Sequence, residues 1–152
     1  SDITIDVTKN FHAVEHRIEK VDTIDGVVYY NDSKGTNTDA SIKAIKAMSR
    51  PTLLIAGGYD KNSPYDDFIE NFDGKIKELV LIGATAEKIK ACALEHGFTN
   101  IKMADSLEEA VSICKADSEN GDAVLLSPAC ASWDMFKSYE QRGRLFKDLV
   151  KG

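Results

Sequence analysis

Apolar positions change their spacing about thirty residues into the chain. From Arg17 to Ile24 polar and apolar residues alternate, the period of a half-buried strand. Asp25-Gly26 follows, a two-residue hairpin signal, and then the β-rich run Val27 to Tyr30. Beyond that point the pattern alternates between short apolar runs and helical spacing. Ile42, Ala44, Ile45 and Met48 predict a helix over Asp39 to Met48. Strands are predicted at Leu53 to Ala56, Leu79 to Ile82, Ile101 to Met103 and Ala123 to Leu126. Between them fall helices at Asp66 to Phe72, at Thr85 to His96 with Gly97 as its stop, and behind the Ser106–Glu109 capping box. That last helix presents Leu107, Ala110, Val111 and Cys114 on one face. A final helix, Tyr139 to Val150, is expected to pack Leu145, Phe146 and Leu149, and Asp6 to Ala13 reads as a weak helical piece.

Continuous apolar strands separated by helices define an α/β fold: a three-layer, Rossmann-like domain with helices on both faces of a mostly parallel sheet. One antiparallel strand comes from the N-terminal hairpin. Right-handed crossovers put every strand-to-helix loop on one edge of that sheet. Three of those loops are rich in functional groups.

The first is Asn31-Asp32-Ser33-Lys34-Gly35-Thr36-Asn37. A loop leaving a strand and feeding a helix is where open α/β sheets bind ligands. Lys34, the Thr36 hydroxyl and the helix start together suit an anion, although a lone lysine in such a loop is equally a solvated one. The second loop, Gly57-Gly58-Tyr59-Asp60-Lys61, either lets a ligand approach the backbone or makes a tight turn at positive φ. The third, Ser127 to Asp134, is crowded with small residues that suit backbone N–H groups around an anion. Ser132 there has no base beside it and reads as a donor to a carboxylate, not a nucleophile. Trp133 and Phe136 read as packing residues, Arg142 as a structural salt-bridge partner, and His16-Arg17 as a surface pair or a phosphate contact.

Composition narrows the classes. The chain has 152 residues, enough for one domain with a core. Its 25 acidic against 19 basic residues leave no basic stripe, which excludes nucleic acid and membrane surface as expected partners. No apolar run is long enough to span a bilayer. No secretory signal opens the chain, and Ser1 in place of methionine leads us to expect a natural start further upstream. Cys92, Cys114 and Cys130 form no CxxC pair, which argues against structural zinc; they read as packing residues and fit a reducing cytoplasm. No GxxxxGK[ST], HExxH, GxSxG or HRD/DFG motif occurs.

Four segments in order resemble the C-terminal domain of the bacterial Mur ligases: Glu15 to Glu19 (EHRIE), Tyr29 to Ala40 (YYNDSKGTNTDA), Ile55 to Lys61 (IAGGYDK) and Leu125 to Phe146. The NDSK and SPACAS loops are the specific ones and are similar to those of the members that add D-glutamate to UDP-N-acetylmuramoyl-L-alanine. The resemblance implies an ATP- and Mg2+-dependent, amide-forming ligase of peptidoglycan precursor synthesis. Residues 1–16 would be the tail of a central ATPase domain and 17–152 the C-terminal domain, with no catalytic residue or metal ligand of its own. It implies that Lys34, Thr36, Lys61, Ser132 and Tyr139 hold D-glutamate and that Arg17, Asp32 and Asp60 face the nucleotide. The rivals are a sibling ligase adding another amino acid, a stand-alone Rossmann-type nucleotide module and a non-catalytic interaction domain.

Overall fold

The structure, a computed structural model, describes residues 15–59, 62–132 and 135–152. The weak helix expected at Asp6 to Ala13 lies outside them. Six strands form one sheet: β1 (Glu19–Ile24), β2 (Val27–Asn31), β3 (Thr52–Ala56), β4 (Ile76–Leu81), β5 (Ile101–Met103) and β6 (Ala123–Leu126). Five helices are described: α1 (Thr38–Ala47), α2 (Asp66–Glu70), α3 (Ala86–Glu95), α4 (Leu107–Asp117) and α5 (Tyr139–Lys151).

The sheet order is β1-β2-β6-β3-β4-β5, antiparallel only between β1 and β2. Asp25 and Gly26 turn that hairpin with φ of 53° and 78°, the pair of positive angles a two-residue turn of this hand requires. Alternate residues of the buried strands feed two cores. Leu54, Leu79, Leu81 and Leu125 pack with Ile45, Phe68 and Ile89 beneath α1, α2 and α3. Leu53, Ile55, Val80, Val124 and Leu126 pack with Leu107, Val111, Phe146 and Val150 beneath α4 and α5. Each large side chain so buried contributes about 1.5–3 kcal/mol.

The departures from the sequence pattern are local. Strand β4 begins three residues early, at Ile76, because Lys77 and Glu78 mask its apolar run. On α5, Leu145 is exposed and Arg142 and Gly143 are buried instead. Ser106 caps α4 by accepting from Glu109 N–H, while Glu109 reaches back to Asp105 N–H, one residue upstream of the usual reciprocal bond. No described helix is long and apolar enough to cross a membrane.

The register positions the functional edge. Asn31 pairs with Leu126, and Leu126 with Ile55, so the C-terminal ends of β2, β6 and β3 stand side by side. The loops 32–37, 127–132 and 57–59 therefore leave the sheet together.

Far from that edge, Glu78 on β4 is buried with Oε2 unpartnered among the described residues. Burial first, then the neighbouring Asp117, raises its pKa to about 7, against weaker opposition from Lys102 and Lys77. A carboxyl that is more basic folded than unfolded adds stability at low pH and loses it as pH rises through the folded value. Denaturant unfolding is therefore expected to weaken by about 1–2 kcal/mol between pH 5 and pH 8 on this group's account. Glu78→Gln should flatten that slope and be the more stable protein at the alkaline end. Parallel stability profiles for the two proteins would remove Glu78 from the explanation.

Candidate functional site

Loop 32–37 is fixed before any ligand arrives. Asp32 N–H donates to Leu126 carbonyl, and Gly35 N–H closes a turn onto Asp32 carbonyl. Asn31 Oδ1 accepts from Ser33 N–H, and its Nδ2 donates to Glu19 Oε1 and to His16 Nδ1. With the amide so oriented, His16 Nδ1 accepts and the ring's proton sits on Nε2. Burial lowers the His16 pKa, which keeps the ring neutral. His16 is thus no surface residue; it is 3 % exposed. Arg17 next to it is exposed.

The approach to β1 is strained. His16 and Ile18 have φ of 67° and 46°. A β-branched residue in that region costs about 1–3 kcal/mol and needs fixed partners. Ile18 N–H donates to Asp32 Oδ1, and Lys34 N–H donates to His16 carbonyl.

Helix α5 closes the site from the other side. Arg142, 1 % exposed, sends Nε to Ser33 Oγ at 2.9 Å, Nη2 to Ser33 carbonyl at 2.7 Å and Nη1 to Cys130 carbonyl at 3.1 Å. Ser33 Oγ in turn donates to Tyr139 carbonyl. Arg142 is structural, as its position suggested, but it works through carbonyl oxygens that join two loops to one helix. Ser138 caps that helix by accepting from Gln141 N–H.

Loops 57–59 and 127–132 are bonded to each other. Gly57 N–H reaches Pro128 carbonyl and Tyr59 N–H reaches Ala131 carbonyl. The double glycine serves this contact: a Cβ on Gly57 would stand 2.0 Å from Ile82 carbonyl oxygen, and one on Gly58 2.5 Å from Ala131 carbonyl oxygen. The protein's own backbone therefore lies against both glycines. Two N–H groups of loop 127–132 are likewise taken by the protein's own backbone. Ser127 N–H goes to Ile55 carbonyl and Ala129 N–H to Gly35 carbonyl. Cys130 packs as expected, its sulfur within 3.3 Å of Tyr65 hydroxyl and 3.4 Å of Thr85 Oγ1.

What remains open is a cavity of about 310 Å³ lined by Arg17, Asp32, Lys34, Asn37, Asp39 and Lys43, among others. Three cations face two carboxylates there. Asp32 is 4 % exposed, and burial raises its pKa to about 6. Hydrogen bonds from Ser127 Oγ (2.6 Å) and Ile18 N–H (3.0 Å), then the charges of Arg17 and Arg142, oppose that rise. Ser127 Oγ also lies 2.8 Å from Ser41 Oγ, so the two hydroxyls can relay a donor toward the ionised carboxylate or accept from the protonated one. Lys34 Nζ stands 5.9 Å from the centre of the Tyr139 ring, within cation–π range.

The structure thus brings Arg17, Asp32 and Lys34 into one cavity and sets Tyr139 against Lys34. Thr36 is half-buried, bonds through its N–H to Lys34 carbonyl, and is not in the cavity wall. Ser132 is buried two residues beyond the Arg142 tether, its carbonyl accepting from Met135 and Phe136 N–H. Asp60, Lys61 and Trp133 lie outside the described residues. Sequence reasoning missed Lys43 and Asn37. Lys43 is four residues beyond Asp39 on α1, a spacing that stacks the two side chains on one face. Asn37 caps α1 through Ala40 N–H.

The cavity sets three cations beside one buried carboxylate at the C-terminal ends of parallel strands, the edge at which open α/β domains bind ligands. The profile described as "Mur ligase, glutamate ligase domain" matches residues 16–130, and the chain belongs to that family. It is 60% identical over 149 residues to the UDP-N-acetylmuramoylalanine–D-glutamate ligase of Lachnospira eligens, covering 98% of this chain and 33% of the relative. The ligase of the same name from Lachnoclostridium phytofermentans is 62% identical over 144 residues, 95% of this chain and 32% of the relative. The chain therefore spans about a third of the curated relatives it matches. Among solved structures, MurF ligase from Thermotoga maritima in complex with ADP superposes with a TM-score of 0.58 at 15% identity, over 97% of this chain and 34% of that one. That likeness is one of fold.

Gly143 on α5 tests the packing around His16. A Cβ there would fall 2.2 Å from His16 Nδ1 and 3.1 Å from Asn31 Nδ2. Helix propensity alone favours Gly143→Ala by about 1 kcal/mol. We expect the opposite sign, a loss of about 1–3 kcal/mol in denaturant unfolding, because the ring is buried and held. A stabilised variant would show that the helix has slack at this point.

Proposed function

We propose that this chain is the amino-acid-binding domain of an ATP-dependent ligase that adds D-glutamate to UDP-N-acetylmuramoyl-L-alanine in peptidoglycan precursor synthesis, a cytoplasmic reaction. The observation that carries this reading is the identity, over nearly the whole chain, to relatives named for that reaction. Residues 1–16 are then the tail of a preceding ATPase domain and 17–152 the domain proper. ATP, with Mg2+ held mainly by residues outside this chain, supplies the phosphoryl group that turns the L-alanyl carboxylate into an acyl phosphate; the amine of D-glutamate displaces phosphate and leaves an amide.

The chain's own residues bind and orient. Arg17, Lys34 and Lys43 fit a phosphate-bearing ligand, since three cations in one cavity offset the desolvation of an anion. Asp32 and Asp60 are assigned to the nucleotide, Asp32 holding Ile18 N–H and hence the position of neighbouring Arg17. Lys34, Thr36, Lys61, Ser132 and Tyr139 are assigned to D-glutamate. Lys34 stands between the two groups, in the cavity wall and over the Tyr139 ring. A dicarboxylate needs more than one cationic or donor pocket, and holding its amine in line with an acyl phosphate supplies much of the rate. No residue of this chain is assigned a bond-making role.

Two outcomes follow. The chain alone is expected to show neither ATP hydrolysis nor amide formation, because it contains no phosphate-binding GxxxxGK[ST] loop; turnover by the purified 152-residue chain would overturn this assignment. In a full-length ligase carrying this domain, Lys34→Ala is expected to raise KM for D-glutamate by on the order of tenfold or more, and that for the UDP-linked substrate far less. Equal losses in steady-state kinetics would take Lys34 away from the amino acid.

A further inference from the structure

Helices α2 and α3 meet at a cluster that the binding edge does not use. Asp66 opens α2, Cys92 lies in α3, and His96 follows four residues later as its C-terminal cap. That spacing sets Cys92 and His96 on one helix face. His96 Nε2 is 2.8 Å from Asp66 Oδ1, and Cys92 Sγ is 3.6 Å from the same oxygen. One donor atom from each of the three residues lies within 4.8 Å of the others.

Zinc holds sulfur at ~2.3 Å and nitrogen or oxygen at ~2.0–2.2 Å, so tetrahedral geometry sets its ligand atoms about 3.2–3.6 Å apart. The two separations from Asp66 Oδ1, 2.8 and 3.6 Å, lie close to that range, and a thiol, an imidazole and one carboxylate are the donors a borderline-soft dication prefers. On the other side of the ring Glu70 Oε2 lies 3.9 Å from His96 Nδ1, where a carboxylate that orients a metal-bound imidazole belongs. Glu70 and Glu95 both act on Cys92 and His96, which makes the local potential negative. Asp66 and His96 keep 59% and 27% of their side chains exposed, so an ion has a path in.

We propose that Asp66, Cys92 and His96 form a zinc site that staples α2 to α3, with solvent in the fourth position. Binding releases the Cys92 thiol proton to solvent and moves the proton that His96 Nε2 shares with Asp66 to Nδ1, which frees the Nε2 lone pair and replaces the hydrogen bond between His96 and Asp66 by two bonds to the ion. The site is separate from the cavity at Arg17, Asp32 and Lys34 and does not depend on the ligase reading.

Cobalt(II) is the probe. Titrated into the reduced chain, it is expected to bind at one equivalent with a thiolate-to-cobalt charge-transfer band and the intense visible bands of a tetrahedral ion. Cys92→Ser should abolish the charge-transfer band, and His96→Ala should weaken binding by about tenfold or more. Zinc should displace the cobalt and raise the thermal midpoint of the parent but not of Cys92→Ser. Alkylation followed by mass spectrometry needs no variant: zinc should protect Cys92. Absence of the bands at millimolar cobalt, a spectrum that survives Cys92→Ser, or undiminished alkylation of Cys92 under zinc would each overturn the site.

Discussion

The guanidinium of Arg142 is the contact on which the binding edge depends. A buried cation is costly unless its donors are satisfied, and here they are met by two carbonyls and a hydroxyl on two different loops. Ser33 and Cys130 are almost a hundred positions apart in sequence, and no backbone bond joins them directly. Arg142 makes them one surface and anchors both to α5. The adjacent bonds, Ala129 to Gly35 and Ser33 to Tyr139, tie the same loops and helix together. Removing the guanidinium would leave buried acceptors unpaired at about 1–3 kcal/mol each.

Asp32 shows how the same packing sets the electrostatics. Its carboxylate is drawn inward to hold the strained Ile18 backbone, and that burial pushes its pKa up to about 6. Ser127 and Ser41 soften the penalty because hydroxyls can serve either protonation state. The cavity beyond it carries Arg17, Lys34 and Lys43 against Asp32 and Asp39, a small positive excess when both carboxylates are ionised. Arg17 and Lys43 are exposed and Lys34 half-buried, so these cations stay hydrated while the carboxylate beside them is buried.

Much of the fold was legible because its strands are buried on both faces and its turns carry explicit chemistry. Asp25-Gly26, Gly97 and the Ser106 cap each produced the feature their residue types dictate. That loop 32–37 lies at the C-terminal edge of the sheet was legible from its place between a strand and a helix. The errors share a cause. His16 looks like a surface residue in a one-dimensional pattern, and the tertiary approach of α5 to β2 buries it together with Arg142 and Gly143. Leu145 fails the same way, since the helix turns a glycine and an arginine inward where the apolar pattern pointed to a leucine. The double glycine at Gly57-Gly58 was ambiguous in sequence because close approach looks alike whether the visitor is a ligand or the protein's own carbonyl oxygen.

That last point bears on how the site works. Loops 32–37, 57–59 and 127–132 are joined by backbone bonds from Gly57 to Pro128, Tyr59 to Ala131 and Ala129 to Gly35, with glycines where any Cβ would collide. A rim laced in this way has little freedom to fold one loop over a ligand. Long side chains at its surface, Arg17, Lys34 and Lys43, can adjust; the backbone beneath them cannot without breaking several bonds at once. The strained residues His16 and Ile18 lie just ahead of β1, on the same rim. Their left-handed backbone is held by Asp32 and Lys34, the same two residues that face the cavity. An occupant that pulls on Asp32 or Lys34 therefore acts on that segment directly, without any intervening relay.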